Sequence, residues 1–236
     1  MLIRRQIHIG IRASSLTVSV ITLLTASILF SLSFVSSKGN PYLGYDDVIA
    51  QSPNQSATAN GTNGGGMLVY QNNTYGLKMQ YPSGWQVAQF NNSAATPTKL
   101  VVGFFSPIGV QRVTDRNPES ILVAVENLSS SNMGLAPYTA LQLSLLSEGA
   151  KGFNLVESLP TTIANNPAQQ IVYTEQPLEQ LKLKKMQVWT VKDGMAYLII
   201  YAADEADYPS QLPTVKRMLD SFEILNPASQ VANSTR

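Results

Sequence analysis

The stretch LKLKKMQVWTVK (Leu181–Lys192), then Asp193-Gly194, then MAYLIIYA (Met195–Ala202) decides the architecture. Two runs rich in β-branched and aromatic residues flank a two-residue turn that accepts positive φ at both positions, the strongest short-range hairpin signal in the chain. It predicts a long two-stranded ribbon. Working upstream, Phe153–Leu159 and Ala168–Glu175 read as strands around the turn Ala164-Asn165-Asn166-Pro167. Lys99–Ser106 and Ser120–Asn127 read as central strands, separated by a polar loop holding Asp115, Arg116 and Asn117. Met67–Gln71 and Leu77–Tyr81 form an opening hairpin over Asn72-Asn73-Thr74-Tyr75-Gly76; Pro82 and Gly84 close it and Trp85 offers a large ring to the core.

Two segments change period. Within Pro137–Glu148, the residues Tyr138, Leu141, Leu145 and Leu146 recur at helical spacing, with Gly149 and Gly152 placed to stop the helix. Asp204-Glu205-Ala206-Asp207 precedes a segment with Leu212, Val215, Met218, Leu219 and Phe222 on one helical face, an arrangement the helix dipole favours. About eight antiparallel strands and two helices make an α+β domain, an antiparallel sheet covered by helices, over residues 67–226. A polar tail occupies 227–236.

The region before the domain has a different composition. From Ala13 to Val35 run 23 residues without a charge, long enough as a helix to cross a hydrocarbon core of about 30 Å. Arg4, Arg5 and Arg12 in the basic 1–12 segment hold that end in the cytoplasm, so the expected orientation is N-in, C-out with the domain extracytoplasmic. The segment reads as a transmembrane anchor or, because Val35-Ser36-Ser37 resembles a cleavage site, as the apolar part of a signal peptide; its length favours the anchor. Residues 36–66, rich in Asn, Gly, Ser, Gln and Thr, read as a flexible linker. Sequons at Asn54, Asn60, Asn72, Asn91, Asn127 and Asn233 are glycosylation candidates for such a chain.

Several chemistries are excluded by composition. There is no cysteine, and the single histidine, His8, precedes the apolar segment, so the domain has no thiolate, no His-based triad and no imidazole metal ligand. Residues 39–236 carry 12 bases against 15 acids, without the clustered Lys and Arg that nucleic-acid phosphates require. Nucleotide loops and nucleophile elbows are also missing from the sequence.

Against this background, Tyr75-Gly76-Leu77-Lys78-Met79-Gln80-Tyr81-Pro82-Ser83-Gly84-Trp85 resembles the opening hairpin of the PsbP superfamily. Further matches follow in order: Phe104-Phe105-Ser106-Pro107, Asn166-Pro167-Ala168, Gln187-Val188-Trp189, Asp193-Gly194-Met195-Ala196-Tyr197 and Ser221-Phe222. The resemblance covers Met67 to about Leu225 and is greatest to the stand-alone, membrane-tethered members of prokaryotes. It implies an antiparallel sheet covered by helices and, through the family name alone, association with the photosystem II oxygen-evolving complex. The family is also associated with calcium, manganese or zinc, but its histidine ligands have no counterpart in this domain.

With soft ligands gone, a hard cation held by oxygen is the remaining metal option, and Asp204, Glu205 and Asp207 are the calcium candidates beside the plainer reading of a solvated turn. Lys182, Lys184 and Lys185 read as a charged sheet edge that blocks aggregation, with contact to anionic lipid as the other reading. Trp85, Trp189, Tyr173, Tyr197 and Tyr201 read as core. The 13 acids between Asp115 and Glu223 show no pairing motif, which makes a carboxylate-dependent hydrolase the least favoured function. The expectation is a noncatalytic binding or assembly domain with a protein partner at the outer membrane face, and a weak calcium-binding surface domain as the alternative.

Overall fold

The computed structural model describes residues 48–49, 66–90, 98–107 and 119–225. Strands β2 (Met67–Asn72) and β3 (Leu77–Pro82) form the expected opening hairpin, which joins the two-residue β11 (Glu223–Ile224) in a small sheet of order β11-β3-β2. The large sheet is antiparallel with order β1-β4-β5-β6-β10-β9-β8-β7. Its members are β1 (Val48–Ile49), β4 (Gln86–Phe90), β5 (Thr98–Phe105), β6 (Ser120–Asn127), β7 (Asn154–Ile163), β8 (Asn166–Leu178), β9 (Leu181–Lys192) and β10 (Met195–Asp204). Helix α1 (Leu135–Gly149) lies between β6 and β7, and α2 (Tyr208–Asp220) between β10 and β11.

The sheet separates two layers. On one face, Val102, Phe104, Ile121, Val123, Val188, Ile199 and Tyr201 pack with Val215 and Met218 of α2 and with Leu77, Met79 and Tyr81 of the small sheet. On the other, Ala124, Ile171, Tyr173, Trp189 and Leu198 pack with Tyr138, Leu145 and Leu146 of α1. Period-two alternation assigns successive residues to opposite layers, so a single register satisfies both.

Asp193 and Gly194 take φ of 51° and 75°, and β9 and β10 pair from Lys192↔Met195 onward. The hairpin is not a free ribbon: β9 also pairs with β8 and β10 with β6. Gly76 shows why the Tyr75-Gly76 pair opens the domain. Its φ is +62° and a Cβ there would sit 3.0 Å from the Leu225 carbonyl, which accepts a position beside Gly76 because the Leu225 N–H donates to the Gly76 oxygen at 2.7 Å.

Three strands escape the sequence reading: β4, where only Ala88 is buried, and the two-residue β1 and β11. Val48–Ile49 falls inside the 36–66 stretch read as linker, and there the backbone pairs with Phe90 and Gln89 of β4. Residues 13–35 and 227–236 lie outside the described residues; among the described ones no helix is long and apolar enough to cross a membrane.

Candidate functional site

Asp204 ends β10 opposite Leu183, and Asp204 to Asp207 form the turn into α2, closed by the Asp207 N–H donating to the Asp204 carbonyl at 3.0 Å. Glu205 points back to Lys182, its carboxylate 2.8 Å from the ammonium. Asp207 caps α2 by position, without a side-chain hydrogen bond to the helix. Among the described residues no three acidic or histidine side chains gather to hold a metal.

The lysine trio corrects the expectation of a charged edge. β9 lies inside the sheet between β10 and β8, and its three lysines take three different roles. Lys182 pairs with Glu205, Lys184 sits 5.0 Å above the Tyr208 ring, and Lys185 is 1% exposed with its ammonium 2.7 Å from the Glu175 carboxylate. The signal was present as parity. Leu183, Lys185, Gln187 and Trp189 share one face of β9, and a residue in register with a buried Trp is buried too.

That ion pair belongs to a polar layer between α1 and the sheet. Beside it the Gln187 amide donates to the Tyr173 hydroxyl at 2.8 Å. Further along, Trp189 Nε1 donates to Thr139 Oγ1 at 2.9 Å and the Tyr138 hydroxyl donates to Glu126 Oε2 at 2.8 Å, tying α1 to β9 and β6. Glu126 is 1% exposed, and burial raises its carboxyl above the usual carboxylate range, against the lowering pull of Tyr138 and Thr98. Burial, then the nearby Glu126, holds the Tyr138 phenol well above its ordinary value.

A third buried acid, Glu119, lies on the other side of the sheet and accepts the Ser210 hydroxyl at 2.8 Å. Near it the Tyr201 hydroxyl donates to the Tyr208 carbonyl at 2.8 Å, and burial, followed by Glu119, pushes its phenol up. Burial also raises Tyr208, to about 12. Each buried acid thus holds a different partner: Ser210, Tyr138 or Lys185. All five aromatics read as core are buried.

The exposed apolar surface lies elsewhere. β7 ends the sheet and pairs with β8 alone, and on it Leu155, Val156 and Leu159 are 42%, 52% and 44% exposed. Leu178, at the end of β8, is 46% exposed.

No family model matches the chain, and no curated protein sequence does. Among solved structures, cyanobacterial PsbP from Synechocystis sp. superposes with a TM-score of 0.52 at 14% identity, over 73% of this chain and 99% of that one. The fold is PsbP-like. Two further structures are more distant. A protein of unknown function from Pseudomonas aeruginosa described as a putative regulator has a TM-score of 0.43 at 20% identity, over 66% of this chain and 94% of that one. LpqN of Mycobacterium tuberculosis, involved in cell envelope biogenesis, has 0.44 at 12%, over 64% and 83%. In the PsbP-like domain the asparagines of the sequons Asn72 and Asn127 sit at strand ends, while Asn54, Asn60, Asn91 and Asn233 lie outside the described residues.

Proposed function

We propose that this chain is a noncatalytic, extracytoplasmic binding domain that assembles with a protein of a membrane-associated complex, tethered by residues 13–35. The location rests on the apolar segment and its basic flank, and the PsbP-like fold supports a domain of that type.

The observation that carries the reading is β7. A terminal strand offers one row of backbone N–H and C=O groups to an incoming extended segment, and natural sheets ordinarily blunt such an edge with charge. From Asn154 to Leu159 the edge holds three exposed aliphatic side chains and one acid, Glu157. Pro160 lacks an N–H, so docking is confined to that first half. An extended peptide segment of the partner fits there, its backbone pairing with β7 and its apolar side chains meeting Leu155, Val156 and Leu159.

Affinity capture of the full-length chain from detergent-solubilised membranes tests this. A specific protein should be recovered above a control carrying residues 1–66 alone, and be lost when Leu155, Val156 and Leu159 are together replaced by Lys. Recovery equal to the control, or unchanged in the triple variant, would count against the proposal.

A further inference from the structure

We infer that Asn127 carries an N-linked saccharide and that Asn72 does not; the inference rests on the extracytoplasmic reading above. The sequence offers both asparagines as equal triplets, Asn72-Asn73-Thr74 and Asn127-Leu128-Ser129. The fold treats them oppositely.

Asn127 is exposed at the end of β6, and its Oδ1 accepts the Ser129 backbone N–H at 2.9 Å. Such an Asx turn draws the asparagine side chain and the residue two positions on together, the two groups an N-glycosyl transferase reads. Leu128 between them is buried, and its N–H donates to the Gly194 carbonyl at 2.8 Å. Its carbonyl accepts the Ser131 and Asn132 amides at 2.9 and 3.0 Å. The middle residue therefore anchors the turn while Asn127 and Ser129 stand out from it. Among the described residues, none engages the Asn127 amide nitrogen.

At Asn72 the reacting nitrogen is already in use. Its Nδ2 donates to the Tyr70 hydroxyl at 3.2 Å, its Oδ1 accepts the Tyr75 N–H at 3.1 Å, and the side chain is half-buried in the β2–β3 turn. Modification would leave Oδ1 free to accept, as at Asn127, but would set a saccharide on the nitrogen that donates to Tyr70, inside a half-buried turn.

The reaction needs a lipid-pyrophosphate-linked saccharide as donor. The amide nitrogen attacks the anomeric carbon, the N–C bond forms as the C–O bond to the pyrophosphate breaks, the lipid pyrophosphate leaves with the electron pair, and the amide proton passes to a base of the transferase. The position also suits the proposed function. Asn127 pairs with Met195 at the Asp193-Gly194 end of the sheet, whereas Leu155 lies in register with Tyr173, Lys185 and Ala202 toward the opposite end. A saccharide at Asn127 leaves the docking half of β7 clear.

Peptide mass spectrometry on the full-length protein from its host's membranes decides the matter. The Asn127 peptide should carry a saccharide mass and the Asn72 peptide none. Asn127→Gln and Ser129→Ala should each abolish the shift at that site, and Ser129→Thr should keep it. Saccharide on Asn72, alone or with Asn127, overturns the inference, because selection by the fold requires transfer to a folded domain. A bare Asn127 overturns it as well, and protease added to intact cells then separates the causes. Cleavage within 67–226 leaves the location standing and removes only the saccharide, whereas protection removes the extracytoplasmic reading too.

Discussion

The two faces of the large sheet are built on different principles. Under α2 and the small sheet the contacts are mostly apolar, the buried Glu119–Ser210 pair apart, with aromatic pairs such as Tyr81–Phe104 at 5.0 Å and Tyr201–Tyr208 at 5.0 Å between ring centroids. Under α1 the same sheet carries Glu126, Glu175, Lys185 and Gln187, all buried, beside Tyr173 and Trp189. Apolar burial is non-directional and forgiving of small shifts, whereas a buried charge is stable only while its partner is in place. The α2 face therefore supplies cohesion, and the α1 face makes the seating of one helix depend on a few directional contacts.

The sharpest way to break this contrast is to remove one charge. Lys185→Ala leaves the Glu175 carboxylate without its ammonium in a layer sealed from solvent. The expected loss of unfolding free energy in urea denaturation is about 3–5 kcal/mol. Replacing both members, Glu175→Leu with Lys185→Met, should restore most of it, since no charge then remains to be buried. A double variant as unstable as the single would show that packing, not charge, sets the cost there. On the opposite face Met218→Ala opens a cavity under α2, and a loss of about 2–5 kcal/mol is expected. That loss should stay constant between neutral and mildly acid pH, because the Met218 surroundings are apolar.

The contrast also explains what was legible. Apolar alternation and turn chemistry are local, so β2, β3, β5, β6, β9 and β10 could be placed within a residue or two, and both helices as well. β4 could not, because Gln86-Val87-Ala88-Gln89-Phe90 buries only Ala88 and pairs by backbone. β7 runs on through Pro160 to Ile163, a continuation that an edge strand tolerates and a central one does not. The α2 face followed from hydrophobic spacing, with Val215 and Met218 buried and Leu212 and Leu219 partly so, while Phe222, expected on the same face, is buried just past the helix end at Asp220. The α1 face did not. Gln142 is buried on that helix where the spacing suggested Leu141, and Lys185 is hidden in a run with the exposed Lys182 and the half-buried Lys184. A buried polar residue looks like a surface residue unless its neighbours two positions away are read with it. For Glu126 those neighbours, Ala124 and Leu128, are both buried, so the chain around it carried the signal.

Glu126 offers the smallest effect and the most discriminating one. From α1 it meets the Tyr138 hydroxyl, and its cross-strand neighbours are Thr98 and Ala196, so no cation faces it from these elements. Its folded pKa is raised above the unfolded value, so the native state binds the extra proton. The stability this contributes is present at low pH and is lost as pH climbs from the unfolded carboxyl value of about 4.3 through the folded one, at up to about 1.4 kcal/mol per pH unit. Glu126→Gln keeps an oxygen to accept the Tyr138 hydroxyl and has nothing to ionise. The difference in stability between variant and parent should therefore widen in the variant's favour as pH rises across that window, then level off. Hydrogen exchange of the α1 amides, followed against pH in both proteins, locates the effect. Faster exchange in the parent confined to α1 fits a helix seated on a proton-sensitive contact, while equal exchange in parent and variant at every pH would place the Glu126 charge outside the forces that hold α1 down.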